Sequence, residues 1–279
     1  MVRILVDSSS DYQIEELIQK NIAFVPISIT IGGNSYADGI ELDRNDLYRI
    51  LEDTGEFPKT SQPSPQDFLS IFQDVKDRGD EIVCLLLSSE LSGTYQSAVL
   101  AKDMADYDKI YLIDTLSATY NIKIMADYAC RLRSEGVCAA EIAEKIEALK
   151  SRVKVVAALD TLEYLSRGGR ISKTVAAIGD MANLKPIITL TPDGKVGMIG
   201  KCLGKNKAIC YIKKHLQELT LDENFPVYAI YSYGTDNCEI FEDKMIQEGF
   251  TIDDRLQIGA TIGAHIGPEA FGIIFVTKD

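Results

Sequence analysis

The sequence predicts an α/β fold in two domains, an N-terminal mostly parallel sheet covered by helices and a C-terminal α+β domain with a mixed sheet. Three observations carry this. Over the first 150 residues, apolar β-rich runs alternate with segments whose apolar positions recur every three or four residues, the order that lays helices over a parallel sheet. Beyond that the grammar changes, and two β-rich runs flank Pro192-Asp193-Gly194, a hairpin signal. At 279 residues the chain has reached the size, about 250–300 residues, at which one core stops growing and chains divide. The expected domains are residues 1–150 and 151–279.

Each element follows from its local pattern. Strands are predicted at Val2 to Val6, Ala23 to Ile31, Glu81 to Leu87 and Lys109 to Ile113. Helices are predicted near Asp11 to Lys20, Asp43 to Asp53, Pro65 to Arg78, Thr94 to Asp106, Thr119 to Ser134 and Ala139 to Ser151. Asp43 and Ser64 sit where N-caps belong, the second followed by Pro65 at the first helical position. Val153 to Leu159 opens the second domain as a strand, and two helices around Asp160 to Asn183 enclose Arg167-Gly168-Gly169-Arg170. Pro186 to Thr191 and Lys195 to Lys201 form the hairpin. Strands near Val227 to Ser232, Thr251 to Ile258 and Phe271 to Val276 then alternate with helices near Asn206 to Leu219 and Asp236 to Glu248.

Composition excludes several classes. Lys plus Arg total 29 against 42 Asp plus Glu, so the net charge of −13 repels nucleic acid and anionic lipid surfaces. No apolar stretch approaches the roughly 18–20 residues that cross a bilayer, and the start reaches a charge within a few residues, so neither a membrane span nor a signal peptide is expected. The six cysteines (Cys84, Cys130, Cys138, Cys202, Cys210, Cys238) form no Cys-x-x-Cys pair and no cluster with His215 or His265. They read as reduced thiols of a cytoplasmic protein without structural zinc, and a monomer is expected.

The chemistry is expected in loops beyond the carboxyl ends of strands. Three are rich in hydroxyls: Asp7-Ser8-Ser9-Ser10-Asp11, Ser88-Ser89-Glu90-Leu91-Ser92-Gly93-Thr94, and Asp114-Thr115-Leu116-Ser117-Ala118-Thr119. A fourth, Pro58-Lys59-Thr60-Ser61-Gln62-Pro63-Ser64-Pro65, is a stiff loop. In Ser92-Gly93-Thr94 the glycine permits close backbone approach and two hydroxyls stand beside a helix start, which suits a carboxylate or phosphate oxygen. Any one such loop ordinarily does no more than cap a helix; four together point equally to an anion site. Asp7 is placed as a phosphoryl-accepting aspartate would be, but Ser9 stands where a second aspartate belongs, so ordering of the Ser8 to Ser10 loop is the plainer role. Ser92 lacks the Gly-x-Ser-x-Gly setting of an acyl-transfer nucleophile, and no phosphate-binding glycine motif occurs. His265, within the apolar, glycine-rich Gly259-Ala260-Thr261-Ile262-Gly263-Ala264-His265-Ile266-Gly267-Pro268, is either a satisfied structural residue or a protonated or N–H-donating imidazole left uncrowded to reach an anion. Arg167 and Arg170 flank two glycines that either cap a helix or present two exposed guanidinium groups to an acidic partner or phosphate.

Taken together, these segments resemble the DegV family of bacterial fatty-acid-binding proteins, the substrate-carrying subunits of a fatty acid kinase. The motifs run in order along nearly the whole chain: Asp7 to Asp11, Lys59 to Ser64, Ser88 to Thr94, Leu162 to Ile171, Leu184-Lys185-Pro186-Ile187, and Gly263 to Pro268 with Phe271-Gly272. The resemblance implies one long-chain fatty acid bound between two domains, its tail in the second. The carboxylate would be held by Thr60, Ser61, Ser92, Gly93, Thr94 and His265, with Asp7, Ser8 and Ser9 as supporting loops. It further implies no cofactor, metal or catalysis by this chain, and an ATP-dependent kinase subunit that contacts Arg167 and Arg170 and converts the acid to an acyl phosphate for phospholipid synthesis. One departure is Lys201-Cys202-Leu203-Gly204-Lys205-Asn206-Lys207, where lysines and a cysteine stand in for arginines; lysine lacks the bidentate fork, which bears on the kinase contact. The competing class is a self-sufficient phosphotransferase or hydrolase acting through Asp7 or Ser92.

Overall fold

The computed structural model describes residues 1–172, 174 and 183–278. Strands β1 (Val2–Asp7), β2 (Ile22–Val25), β6 (Glu81–Leu86) and β7 (Ile110–Asp114) form a parallel sheet in the order β2-β1-β6-β7. Its strands are continuous apolar runs because both faces are covered. Leu5, Cys84 and Leu86 pack on Phe68, Phe72, Ala98 and Ala101 of helices α3 (Pro65–Asp77) and α4 (Thr94–Ala105). Ile4, Val6, Val83 and Leu85, on the opposite face, meet Met125, Ala129, Ile142 and Ile146 of α5 (Tyr120–Ser134) and α6 (Ala139–Lys150).

The second sheet comprises β8 (Val153–Ala158), β9 (Leu184–Leu190), β10 (Val196–Leu203), β11 (Tyr228–Tyr231), β12 (Asp254–Gln257) and β13 (Phe271–Val276). Its order is β10-β9-β8-β13-β11-β12, antiparallel throughout except for the parallel β11–β12 pair. Val156, Ile187, Ile273 and Phe275 pack against helices α8 (Lys205–Gln217) and α9 (Asp236–Gln247). Val153, Val155, Ile230 and Ile274 turn the other way, into the apolar cluster shared with α5 and α6. Residues Tyr120 to Ala126 of α5 are consequently all buried, as befits a helix enclosed between two sheets.

The predicted mixed α/β architecture holds, with local corrections. The run Ala23 to Ile31 is two strands in different sheets: Pro26, which has no N–H to donate, separates β2 from β3 (Ser28–Ile31). With β4 (Asn34–Ala37) and β5 (Lys59–Ser61), β3 makes a small antiparallel sheet, so part of the expected Pro58–Pro65 loop is a strand. The expected caps are present. Asp43 accepts from the Asn45 N–H at 2.8 Å at the start of α2 (Arg44–Thr54), and the Ser64 N–H and hydroxyl both donate to Asp67. Of the two helices expected around Asp160 to Asn183, α7 (Glu163–Arg167) is described; the second lies outside the described residues. A helix absent from the sequence reading, α10 (Ala260–Ile266), carries His265.

Candidate functional site

A cavity lined by residues from both halves of the chain lies between the two sheets. Its lining is mostly aliphatic. Val155 and Ala157 come from one face of β8 and Leu159 from the residue following it; Ile188 and Leu190 come from β9, and Ile258, Ile262 and Ile266 from the region of α10. Leu87 and Leu91 close it from the loop after β6. Among the described residues no helix is long and apolar enough to cross a membrane, and no cluster of acidic, histidine and cysteine side chains fits a metal ion.

Polar groups gather at one end of this cavity. Thr60, the middle residue of β5, points inward, and its hydroxyl is 2.8 Å from Nε2 of His265. The His265 ring is buried and its Nδ1 has no hydrogen-bond partner. Burial, helped by the nearby Arg170 charge, pulls its pKa down to about 4, so the ring is neutral at pH 7. Arg170 lines the same end: Nε donates to the Leu91 carbonyl at 3.0 Å and Nη1 to the Gly168 carbonyl. Burial lowers the Arg170 pKa, and among the described residues no carboxylate pairs with it. Ser92, next to Leu91, also lines the cavity; its Oγ lies 2.9 Å from Thr94 Oγ1 and accepts from the Thr94 N–H. A neutral imidazole, two hydroxyls and a guanidinium, joined to an aliphatic chamber, can receive an amphiphile with an acidic head.

Buried carboxyl groups brace these residues. Asp38 accepts from the Thr261 N–H at 3.2 Å and from its hydroxyl at 2.6 Å, tying the start of α10 to the loop after β4. Asp11 accepts from Thr119, a β-branched residue held at φ +55°. Both Thr261 and Thr119 line the cavity. Burial raises Asp11 to about 7 and Asp38 to about 6. Neither Asp38 nor Thr261 is among the expected site residues; their only signal in the sequence is the polar break they make in apolar surroundings.

The expected site residues separate into two groups. Thr60, Ser92, Arg170 and His265 converge. Ser61 is exposed and lies outside the lining, because successive residues of a strand face opposite ways. Thr94 is fully buried behind Ser92, and Gly93 gives space to the Gln62 amide, which a Cβ there would meet at 1.8 Å. Asp7 is fully buried and committed to structure: it accepts from Ser9 N at 2.9 Å and Leu87 N at 2.7 Å, and burial raises its pKa. Ser8 accepts from Ile27 N and meets Thr261, while Ser9 donates to Asp7. Arg167 is exposed, paired with Glu163 and stacked 3.9 Å over the Phe57 ring centre.

Comparison with known proteins matches residues 1–278 to the model of the DegV family of uncharacterised proteins. A DegV domain-containing protein of Caldanaerobacter subterraneus is 35% identical over 282 residues, covering 99% of both chains. Among solved structures, a fatty-acid-binding DegV family protein from Thermus thermophilus superposes with a TM-score of 0.88 at 28% identity, covering 99% of each chain. A stearic acid-binding protein from Eubacterium ventriosum does so with a TM-score of 0.87 at 29% identity, over 100% of this chain and 99% of its own.

Proposed function

The chain belongs to the DegV family, and we propose that it binds a single long-chain fatty acid, tail in the aliphatic cavity and carboxylate against Thr60, Ser92, Arg170 and His265. The observation that carries this reading is the cavity itself, mostly aliphatic, with Thr60, Ser92, Arg170 and His265 gathered in its lining. Relatives of the same fold that bind fatty acids support it. At about 0.8 kcal/mol per buried methylene, a sixteen-carbon tail supplies on the order of 10 kcal/mol before the entropy of binding is subtracted. An unpaired carboxylate out of water costs several kcal/mol, so the donors at the polar end supply tolerance and orientation while the tail supplies affinity. In this reading the Thr60 and Ser92 loops belong to a domain of residues 1–150, and the second sheet, residues 151–279, provides most of the tail surface.

The carrier does not itself catalyse. A separate kinase subunit binds over the polar end, with Arg167 as a surface contact, and uses ATP to convert the presented carboxylate to an acyl phosphate for phospholipid synthesis. The buried, amide-bound state of Asp7 favours this over a phosphotransferase acting through Asp7, and Ser92 has Thr94 rather than a histidine at its hydroxyl. Denaturing mass spectrometry of protein purified from bacteria should release one long-chain fatty acid per chain. Protein that carries none and takes up none when offered would end the proposal. Incubated with fatty acid and ATP, the isolated chain should leave ATP intact until a kinase subunit is added; turnover by the chain alone, lost in Asp7→Asn, would favour the phosphotransferase.

A further inference from the structure

We propose that Val155 and Leu190 form the wall that sets the longest acyl chain the cavity accepts. The inference rests on the fatty-acid reading above. Val155, Ala157 and Leu159 follow one another at the two-residue spacing of one strand face, and all three line the cavity. The chain continues from Leu159 into α7 and on to Arg170, so Leu159 marks the polar end. Val155 stands four residues back, about 13 Å away along an extended strand. Leu190 on β9 and Val196 on β10, paired in register, line the same distal end.

Beyond that end lies a second depression, lined by apolar Leu116, Val153 and Pro192 and by charged Glu147, Lys150 and Lys154. Val155 and Leu190 are the two described residues that line both spaces, so a single layer of side chains divides them. Leu190 is only half-buried and Val155 is 9% exposed, so the partition is thin rather than the middle of a packed core. A tail that fills the cavity meets this wall, and further methylenes either fold back or stay unburied. Truncating the wall joins the two spaces along the direction of β8 and lets a longer tail continue.

The test is a competition assay in which saturated acids of 14 to 22 carbons displace a fluorescent fatty acid from wild type, Val155→Ala, Leu190→Ala and Val155→Phe. The alanine variants should raise the affinity for the 20-carbon acid relative to the 16-carbon acid by about tenfold, and the phenylalanine variant should shift the preference to shorter acids. Leu190→Ala is the safeguard against misfolding, since its side chain is half-buried, and binding of the 16-carbon acid shows that each variant is folded. An unchanged 20-to-16 ratio in an alanine variant that still binds the 16-carbon acid overturns the wall. Failure of the wild type to bind any of the acids overturns the fatty-acid reading instead, and the wall with it.

Discussion

The hydroxyl of Thr60 and Nε2 of His265 lie 2.8 Å apart although 205 residues separate them in sequence. One belongs to a short strand of the small antiparallel sheet, the other to a helix leading into the last strand of the large one. The pair therefore pins the two halves of the chain together at the polar end of the cavity. Replacing Thr60 with valine keeps the shape and removes the hydrogen bond, leaving Nε2 without a partner. Fatty-acid affinity should fall about tenfold, near 1.4 kcal/mol, and the ligand-free protein should lose about 1–3 kcal/mol of stability, because Nε2 is left buried without a partner. Displacement titration and calorimetry on the same sample check both parts.

Burial first, and the neighbouring Arg170 charge second, bring His265 to about 4. An NMR titration of the ring protons should place its midpoint there, with the resonance assigned by its disappearance in His265→Ala. A carboxylate arriving beside the ring favours the imidazolium, so bound fatty acid should move the midpoint upward. The sign for stability follows from a folded-state pKa below the unfolded one. This residue's contribution is complete above about 6.5 and is lost as pH falls towards 4. A midpoint near 6.5 in the ligand-free protein would contradict the buried placement.

Two adjacent glycines should respond differently to alanine. Gly168 has ordinary backbone angles, but a Cβ there would lie 2.3 Å from Nδ1 of His265. Gly169 has open space around it and φ +75°. Gly168→Ala should therefore displace the imidazole and weaken fatty-acid binding about tenfold or more with a modest change in stability. Gly169→Ala should cost about 1 kcal/mol of stability through backbone strain and leave affinity nearly intact. Chemical denaturation and binding measured on both variants separate the two effects.

Much of this was legible in the sequence where local and tertiary preferences agree. β1, β6, β8 and β13 read correctly because their apolar runs are buried on both faces. β4 and β5 did not, since Asn34–Ala37 and Lys59–Ser61 have no apolar periodicity and are strands only through pairing with β3. α10 was missed because Gly259 and Gly263 weaken any helical signal, and part of its cap is Asp38, 223 residues away. The family motifs pointed to Thr60, Ser92 and His265, yet could not tell that strand alternation turns Thr60 inward and Ser61 outward. Nor could they show that Arg170 reaches the cavity while Arg167 stays outside.

That difference between the arginines supports a final prediction. Arg170 is half-buried, donates only to the Leu91 and Gly168 carbonyls in the hydrogen bonds described, and has no anionic partner among the described residues, so its charge is partly desolvated without compensation. A fatty-acid carboxylate at the polar end would supply that compensation. Two unit charges about 4 Å apart attract by about 4 kcal/mol at an effective dielectric constant of 20, and partial exposure leaves roughly 1–2 kcal/mol of this. Arg170→Gln should therefore weaken binding about tenfold while the ligand-free protein keeps or gains stability, because a costly charge has been removed. Arg167 is exposed, already paired with Glu163 and stacked on Phe57, so Arg167→Gln should change affinity by no more than about twofold. Titrations at low and high salt sharpen the contrast, since a pair at the cavity end is screened less than a surface charge. Equal losses in the two variants, both abolished by salt, would mean that the carboxylate senses only the diffuse field of the surface and that Arg170 does not meet it directly.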